Sequence, residues 1–195
     1  MRDRLVDAAF NVCEVHGVAG LTMRRLAAEV GVTAPAIYRH FPGKQDVLQA
    51  MVDRANAVLA VYLARAESLP GSWPVLEGTL TALIDFALDH PRACDVLFFT
   101  RNRVDKELMP ERLRSPNFRT FFARIERCIE SGAIRKDLDA MTVALTLWAH
   151  AQGLLSLHLQ GRFGGSAERL RALLGDGLQA IARGILDPGF QEHQP

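Results

Sequence analysis

Side chains that bind phosphates and base edges are concentrated in residues 22–44 of this sequence. Between residues 21 and 44 the charged side chains are Arg24, Arg25, Arg39 and Lys44 against Glu29, a net of +3. Cationic side chains neutralise phosphates, and the arginine fork also pairs with the edge of guanine. The whole chain has 23 Lys and Arg against 22 Asp and Glu, so its net charge of +1 conceals this local excess. The chemistry that the segment offers is nucleic-acid binding.

Two short helices must position these side chains. Helical periodicity covers residues 22–30 and 33–40, and Gly31 stands in the turn between them. Thr22 and Thr33 are residue types that cap helix N-termini, because the hydroxyl accepts a hydrogen bond from a free backbone N–H. Two helices joined by a tight turn that contains glycine are typical of the helix-turn-helix motif.

The two faces of this predicted motif differ in chemistry. Its inner face is apolar and consists of Leu26, Ala27, Val30, Val32, Ile37 and Phe41. The second helix of such a motif lies in the major groove of DNA. There Pro35 and Ala36 can contact thymine methyl groups, while Arg24 and Arg39 can form bidentate contacts to guanine. Contacts to phosphates are expected from Thr22, Thr33, Tyr38, His40 and Lys44.

Ordinary helix packing is the alternative interpretation of the same pattern. Tyr38 and Phe41 would then be core aromatics, and Arg24 and Arg39 would be solvated surface residues. Spacing alone leaves both interpretations open.

Residues 20–48 resemble the DNA-binding segment of the TetR family of bacterial transcriptional regulators. Thr22, Gly31-Val32, Ile37-Tyr38, Phe41 and Lys44 stand at the family spacing. The resemblance implies a homodimer that binds a palindromic operator in double-stranded DNA and releases it when a ligand enters the C-terminal domain. It also implies a base contact by Arg24, recognition-helix contacts by Ala36 and Tyr38, and phosphate contacts by Thr22, His40 and Lys44.

The rest of the chain also has helical periodicity, so we predict an all-α protein of about nine helices. The helices are expected at about residues 2–16, 22–30, 33–40, 44–68, 73–88, 91–100, 116–131, 139–160 and 166–186. Residues 1–46 are predicted to form a three-helix DNA-binding head. Residues 47–195 are predicted to form a helical body for ligand binding and dimerisation.

Most of the aromatic residues lie in the predicted body, where they favour an apolar pocket with a few polar groups. Its predicted lining is Phe86, Phe98, Phe99, Phe118, Phe122, Trp148, His150 and Gln152. Such a lining suits a small hydrophobic effector. Core packing remains the alternative for each aromatic taken alone.

The last predicted helix has a continuous stripe of apolar and small residues, with spacings that alternate between three and four. The stripe consists of Leu170, Leu174, Gly177, Leu178, Ile181 and Ile185. A final helix with so continuous a stripe favours a dimer interface shared with helix eight. Packing within the chain is the alternative.

Several other classes of protein are not supported. Cys13, Cys94 and Cys128 are odd in number and far apart, so neither a disulfide framework nor a zinc site is expected. His150 and His158 lie eight apart on a helix without acids, so no metal site is expected. No phosphate-binding glycine loop or nucleophile motif is present, and we expect no cofactor and no enzymatic activity.

An uncharged stretch over residues 140–161 is long enough to span a bilayer. Its histidines, glutamines and hydroxyl residues favour a helix buried in a cytoplasmic protein over a membrane span. The preferred function is a ligand-released repressor. A DNA-binding regulator that lacks a ligand or activates transcription is the second hypothesis, and a helical enzyme or membrane adaptor is a distant third.

Overall fold

The computed structural model describes residues 1–99 and 115–189. Within these ranges the chain forms nine α-helices, and one isolated bridge pairs Ile134 with Leu186. The helices are α1 Arg2–Gly20, α2 Met23–Val30, α3 Ala34–Tyr38, α4 Lys44–Ala64, α5 Ser72–Asp89, α6 Pro91–Cys94, α7 Pro116–Ser131, α8 Ala140–Leu159 and α9 Ala167–Ile185. A 3-10 turn follows α4 over Arg65–Ser68, and a π-helical turn follows α6 over Asp95–Phe99. The predicted all-α class is confirmed.

Local side-chain chemistry explains where the later helices begin. The Ser115 hydroxyl accepts a hydrogen bond from the Phe118 N–H at 3.2 Å at the start of α7. The Asp139 carboxylate does the same for α8, and the Ser166 hydroxyl for α9. Each bond satisfies a backbone donor that the first turn of a helix leaves free.

Several predicted helix ends differ from the structure. Helix α3 ends at Tyr38, two residues before its predicted end. The fourth helix is predicted to reach residue 68, but α4 ends at Ala64 and the 3-10 turn continues to Ser68. Gly17 has a φ of 64°, which interrupts α1 where an end was predicted, but one more turn follows and reaches Gly20. The sixth helix was predicted to reach about residue 100. Its α-helical part ends at Cys94, and the π-helical turn continues to Phe99.

The described residues form two compact units, and the first contains residues 1–58 and 90–99. Its core joins α1, α2, α3 and the start of α4 through apolar side chains that are almost completely buried. These include Leu5, Ala9, Val12, Leu21, Leu26, Ile37, Phe41, Val47, Met51 and Val96. Burial of about ten such side chains supplies the main stabilisation of this unit.

The second unit contains residues 59–89 and 115–189. Its buried polar centre is Arg124 on α7, whose Nη1 donates to Thr79 Oγ1 at 2.8 Å and whose Nη2 donates to Glu67 Oε1 at 2.6 Å. A guanidinium that is only 7% exposed needs such partners, because an unpaired buried charge is costly. Arg124 therefore ties α7 to α5 and to the 3-10 turn.

Helix α8 is less buried than the sequence suggested. Val143, Ala144, Leu147, Ala151 and Leu155 form a fully buried stripe, while the opposite side of the helix remains accessible within the single chain. The predicted burial therefore applies to one side of α8 in the single chain. In the described part of the chain, α8 and residues 44–68 are long and apolar enough to cross a membrane, a test that core helices also pass.

Candidate nucleic-acid interface

Helix α2 is fixed at both ends by the residues that the sequence singled out. Thr22 has extended backbone angles and its hydroxyl accepts a hydrogen bond from the Arg25 N–H at 3.1 Å. Gly31 has a φ of 72°, and its N–H bonds to the carbonyls of Ala27 and Ala28. This left-handed conformation costs glycine little, so Gly31 ends α2 and redirects the chain toward α3.

Helix α3 has five residues and depends on its surroundings. Thr33 occupies the N-cap position without a side-chain bond, and Pro35 stands in the first turn. Ile37 and the following Phe41 are fully buried in the core of the first unit. A helix this short does not persist alone in water. The buried side chains of Ile37 and Phe41 therefore fix the position of α3 on the core.

The predicted DNA-binding residues are accessible. Those that are exposed are Thr22, Arg24, Thr33, Pro35, Tyr38, Arg39 and His40, and Ala36 and Lys44 are half-buried. Tyr38 retains 50% of its exposure although it is aromatic, whereas Ile37 beside it has none. The core-aromatic interpretation therefore applies to Phe41 and does not apply to Tyr38. We call the nine predicted residues the α2–α3 face.

Two cations near this face are already held by backbone carbonyls. Lys44 Nζ donates to the Val18 carbonyl at 2.8 Å, and Arg25 Nη1 donates to the Gly20 carbonyl. Both carbonyls lie at the end of α1, where positive charge is favourable. An ammonium has three donors, so Lys44 keeps donors for a phosphate.

Sequence reasoning assigned no role to Arg2. Its Nη1 donates to the His40 carbonyl at 2.9 Å. The two residues are 38 positions apart, and no local periodicity could have revealed the contact.

Some of the predicted ligand residues lie together in the second unit. The Trp148 ring lies edge-on to Phe118 at 5.4 Å between centroids and tilted against Phe121 at 5.7 Å. Phe86 is fully buried and meets Tyr62 edge-on at 5.8 Å. Such aromatic pairs are stabilising beyond the area that they bury.

The remaining predicted ligand residues differ in burial and in the unit to which they belong. Phe122, His150 and Gln152 are half-buried in the second unit, and His150 Nε2 is a buried atom without a hydrogen-bond partner. Phe98 belongs to the first unit. The side chain of Phe99 lies outside what the structure describes.

A cavity of about 360 Å³ lies in the second unit between the end of α4 and α5. Its lining includes Tyr62, Arg65, Leu69, Glu77 and Asp85, and none of the predicted ligand residues. The guanidinium of Arg65 already covers the ring of Tyr62 at 4.5 Å.

The predicted interface residues of α9 separate into two groups. Leu170, Leu174 and Leu178 have at most 1% exposure within the single chain, so they have no surface left for a second chain. Their burial corrects their assignment to an interface, because the stripe packs into the core of the second unit. The other three, Gly177, Ile181 and Ile185, keep partial exposure.

Side chains that could bind a metal ion are scattered in the described parts of the chain. No group of three or more His, Cys, Asp or Glu side chains gathers there as a metal site would require. Burial raises the pKa of the Cys94 thiol to about 12, and burial also raises the pKa of Cys13. The raised pKa keeps both thiols protonated at neutral pH.

Comparison with known proteins matches both parts of the chain. The family model described as bacterial regulatory proteins, tetR family, matches residues 5–51. A second model, described as tetracyclin repressor-like, C-terminal domain, matches residues 76–181.

Two curated relatives illustrate the range of similarity. The transcriptional repressor DrrR1 of Streptomyces coeruleorubidus is 46% identical over 54 residues, which are 28% of this chain and only 20% of the relative. The transcriptional repressor SCO4008 of Streptomyces coelicolor is 25% identical over 190 residues, which are 94% of each protein. Of these two relatives, the one with the higher identity matches only a short segment.

A solved structure shares the fold across almost the whole chain. A TetR family transcriptional regulator from Chloroflexus aurantiacus superimposes with a TM-score of 0.71 at 19% identity, covering 95% of this chain and 93% of the other. At that identity the likeness concerns the fold alone.

Proposed function

This chain belongs to the TetR family of bacterial regulatory proteins and is a DNA-binding transcriptional regulator, and on that premise we propose that it acts in the cytoplasm as a repressor. In this proposal a homodimer binds a palindromic operator, and a small hydrophobic ligand releases it. The observation that carries the proposal is the α2–α3 face, which combines exposed cations, hydroxyls and an exposed tyrosine on a buried apolar base.

The chemistry of the face supports a division of roles. Arg24 and Arg39 have donors for guanine, and Pro35 and Ala36 have apolar surface for thymine methyl groups. Thr22 uses an acceptor lone pair of its hydroxyl for the Arg25 N–H, so its own O–H can donate to a phosphate. The proposed phosphate contacts of Thr22, Thr33, Tyr38, His40 and Lys44 set position on the duplex.

Partial exposure of α8 and α9 supports a homodimer. Leu157 and Leu159 on α8 are 42% and 46% exposed, and Ile181 and Ile185 on α9 are half-buried. A second copy would cover these apolar side chains, and a closed two-fold pair uses the same surface twice. Two heads related in this way would read half-sites about one helical turn apart or a multiple of it.

The aromatic cluster of the second unit supports an apolar effector. Trp148 is half-buried and contacts Phe118 and Phe121, while Phe122 and Gln152 are also half-buried. A ligand can release DNA only if it binds the released state more tightly than the DNA-bound state, since equal affinity shifts no population.

The repressor proposal is tested by ligand extraction and operator release. A DNA duplex that the protein binds is first enriched from a random library. An organic extract of the purified protein is then fractionated, the compounds are identified by mass, and each fraction is added to the complex of the protein with this duplex. We expect an apolar compound to raise the dissociation of that complex. Phe122→Ala and Trp148→Ala should each reduce this response while leaving the affinity of the free protein for DNA within about tenfold of the original.

Two outcomes would contradict parts of the proposal. If both variants lose DNA binding without ligand while their helicity is intact, the aromatics shape the body and do not line a pocket. If no fraction and no panel of apolar compounds releases the duplex, the regulator acts without a ligand, which is the second hypothesis.

A further inference from the structure

The C-terminal end of α3 is held from outside by the first turn of α1. Arg2 Nη1 donates to the His40 carbonyl at 2.9 Å. The guanidinium carbon of the same side chain lies 4.2 Å from the centre of the Phe41 ring, a geometry typical of a cation–π contact. One side chain thus contacts two consecutive residues just beyond Arg39, the C-cap residue of α3.

Helix α3 has few internal bonds at this end. The N–H groups of His40 and Phe41 both bond to the Ile37 carbonyl, at 2.8 and 3.0 Å. The His40 carbonyl comes after the last residue of α3, and Arg2 supplies its donor. A cation at the C-terminal end of a helix is also favoured by the helix dipole.

A cavity lies between the start of α1 and α3. Its volume is about 310 Å³, and its lining includes Met1 and Leu5 on one side and Ala36, Ile37 and His40 on the other. Leu5 and Ile37 also pack into the core of the first unit, whereas His40 is exposed. Arg2 donates to the carbonyl of His40, so its contact joins α1 to the exposed part of this lining.

We propose that Arg2 is a positioning residue for operator recognition, which holds the end of α3 and does not itself contact DNA. This inference rests on the proposed operator binding of the α2–α3 face. Tyr38, Arg39 and His40 lie in the last turn before the contact, so an ordered turn presents them in one arrangement. Order present before binding removes an entropy cost from association.

A direct phosphate contact by Arg2 is the competing explanation, because Arg2 is exposed and cationic. The two roles differ in their response to salt. A lost phosphate contact lowers the slope of log affinity against log salt by about one, whereas lost positioning leaves that slope unchanged.

The test compares Arg2→Ala with Arg4→Ala. Arg4 is also an exposed arginine of α1, two residues after Arg2, so its substitution removes the same charge. Amide hydrogen exchange of the peptide over residues 34–41 is measured without DNA. Affinity for an enriched duplex is then measured at four salt concentrations. Arg2→Lys keeps the charge and a donor, and thermal unfolding confirms that each variant folds.

We expect Arg2→Ala to accelerate exchange in residues 34–41 and to weaken operator affinity about three- to thirtyfold with an unchanged salt slope. Arg4→Ala should leave the exchange unchanged, and Arg2→Lys should recover part of the affinity. Unchanged exchange in Arg2→Ala, equal losses in both alanine variants, or a slope reduced by about one would each overturn the positioning role. If the original protein binds no duplex, the proposed function itself fails, which is a different result from a failure confined to Arg2→Ala.

Discussion

Cationic side chains on and beside the α2–α3 face differ in whether they already donate hydrogen bonds to other groups of the protein. Arg24 is exposed, and none of the contacts found in the described residues uses its guanidinium. Lys44 and Arg25 donate to the carbonyls of Val18 and Gly20 at the end of α1. A free arginine can adapt to a base edge, whereas a lysine held by the backbone is suited to a fixed phosphate.

This difference predicts distinct effects of two substitutions. Arg24→Ala should cost about 1–3 kcal/mol on the preferred duplex and relax base preference at one position. Lys44→Ala should weaken binding to all duplexes and lower the salt slope by about one. Fluorescence anisotropy with a set of single-base variants at several salt concentrations measures both. If the two variants behave alike across that set, the division of roles is wrong.

The N-terminal end of α8 is capped by a carboxylate, so its stability depends on pH. The Asp139 carboxylate accepts hydrogen bonds from the Thr142 N–H at 2.8 Å and from the Thr142 hydroxyl at 2.9 Å at the start of α8. These two bonds hold the pKa of Asp139 below its ordinary value. Because the folded-state pKa is lower than that of the unfolded chain, the cap stabilises the fold at neutral pH and ceases to do so as the pH falls through the folded-state pKa.

Asp139→Ala should therefore lower the melting temperature at pH 7, and the difference from the original protein should shrink in acid. Ser166→Ala is the matched control, because the Ser166 hydroxyl caps α9 at 3.1 Å and does not titrate in this range. Thermal unfolding of both variants between pH 3 and pH 7 provides the measurement. A deficit in Asp139→Ala that stays constant over this range would show that the ionised carboxylate is not what stabilises α8.

The contact between α8 and α9 depends on a glycine. A methyl group added at Gly177 would lie 2.2 Å from ring atoms of His150, which is too close for any contact. At Gly175, two residues earlier on the same helix, an added methyl group meets no atom within 4 Å. The two glycines therefore differ in packing, although their helical environment is otherwise similar.

Gly177→Ala should destabilise the fold by about 1–3 kcal/mol because the His150 ring must move. Gly175→Ala should instead be neutral or stabilise by up to about 1 kcal/mol, since alanine favours helix. Removal of the ring in the double variant His150→Ala with Gly177→Ala should recover much of the loss, and a double-mutant cycle from denaturant unfolding measures this coupling. Additive losses in the cycle would mean that His150 is not the obstacle.

The ends and the exposed faces of helices could be predicted from the sequence because they depend on residues close together in the chain. Thr22 caps α2 as predicted and Gly31 ends it, because each effect involves residues within one turn. Ser115 and Ser166 cap α7 and α9 by the same local chemistry. The alternation of apolar and polar residues also predicted which side of α2 and α3 is exposed. The contact from Arg2 to His40 joins residues that are 38 positions apart, which periodicity does not encode.

The stripe on α9 shows the same limit at the scale of the whole molecule. Its residues have one period, and that period cannot distinguish a core from an interface. Leu170, Leu174 and Leu178 are in the core, whereas Ile181 and Ile185 keep exposed surface. Only the positions of neighbouring helices separate the two groups.

This separation predicts two different failures of assembly. Ile181→Glu would place a charge in the proposed interface, so sedimentation should show a folded monomer with weakened operator binding. Leu174→Glu would place the same charge in the core of the second unit, where we expect loss of cooperative unfolding. A folded Ile181→Glu dimer would remove this part of α9 from the interface.

The central claim is that the α2–α3 face reads a specific duplex. The most direct measurement is selection from a random duplex library, followed by titration of the enriched duplex and a scrambled one with the original protein and with the double variant Arg24→Ala, Arg39→Ala. We predict an enriched inverted repeat that binds at least about a thousandfold more tightly than the scrambled duplex, with a strong dependence on salt and with most of the preference lost in the double variant. Equal binding of both duplexes by the original protein, or a preference that the double variant keeps unchanged, would contradict it.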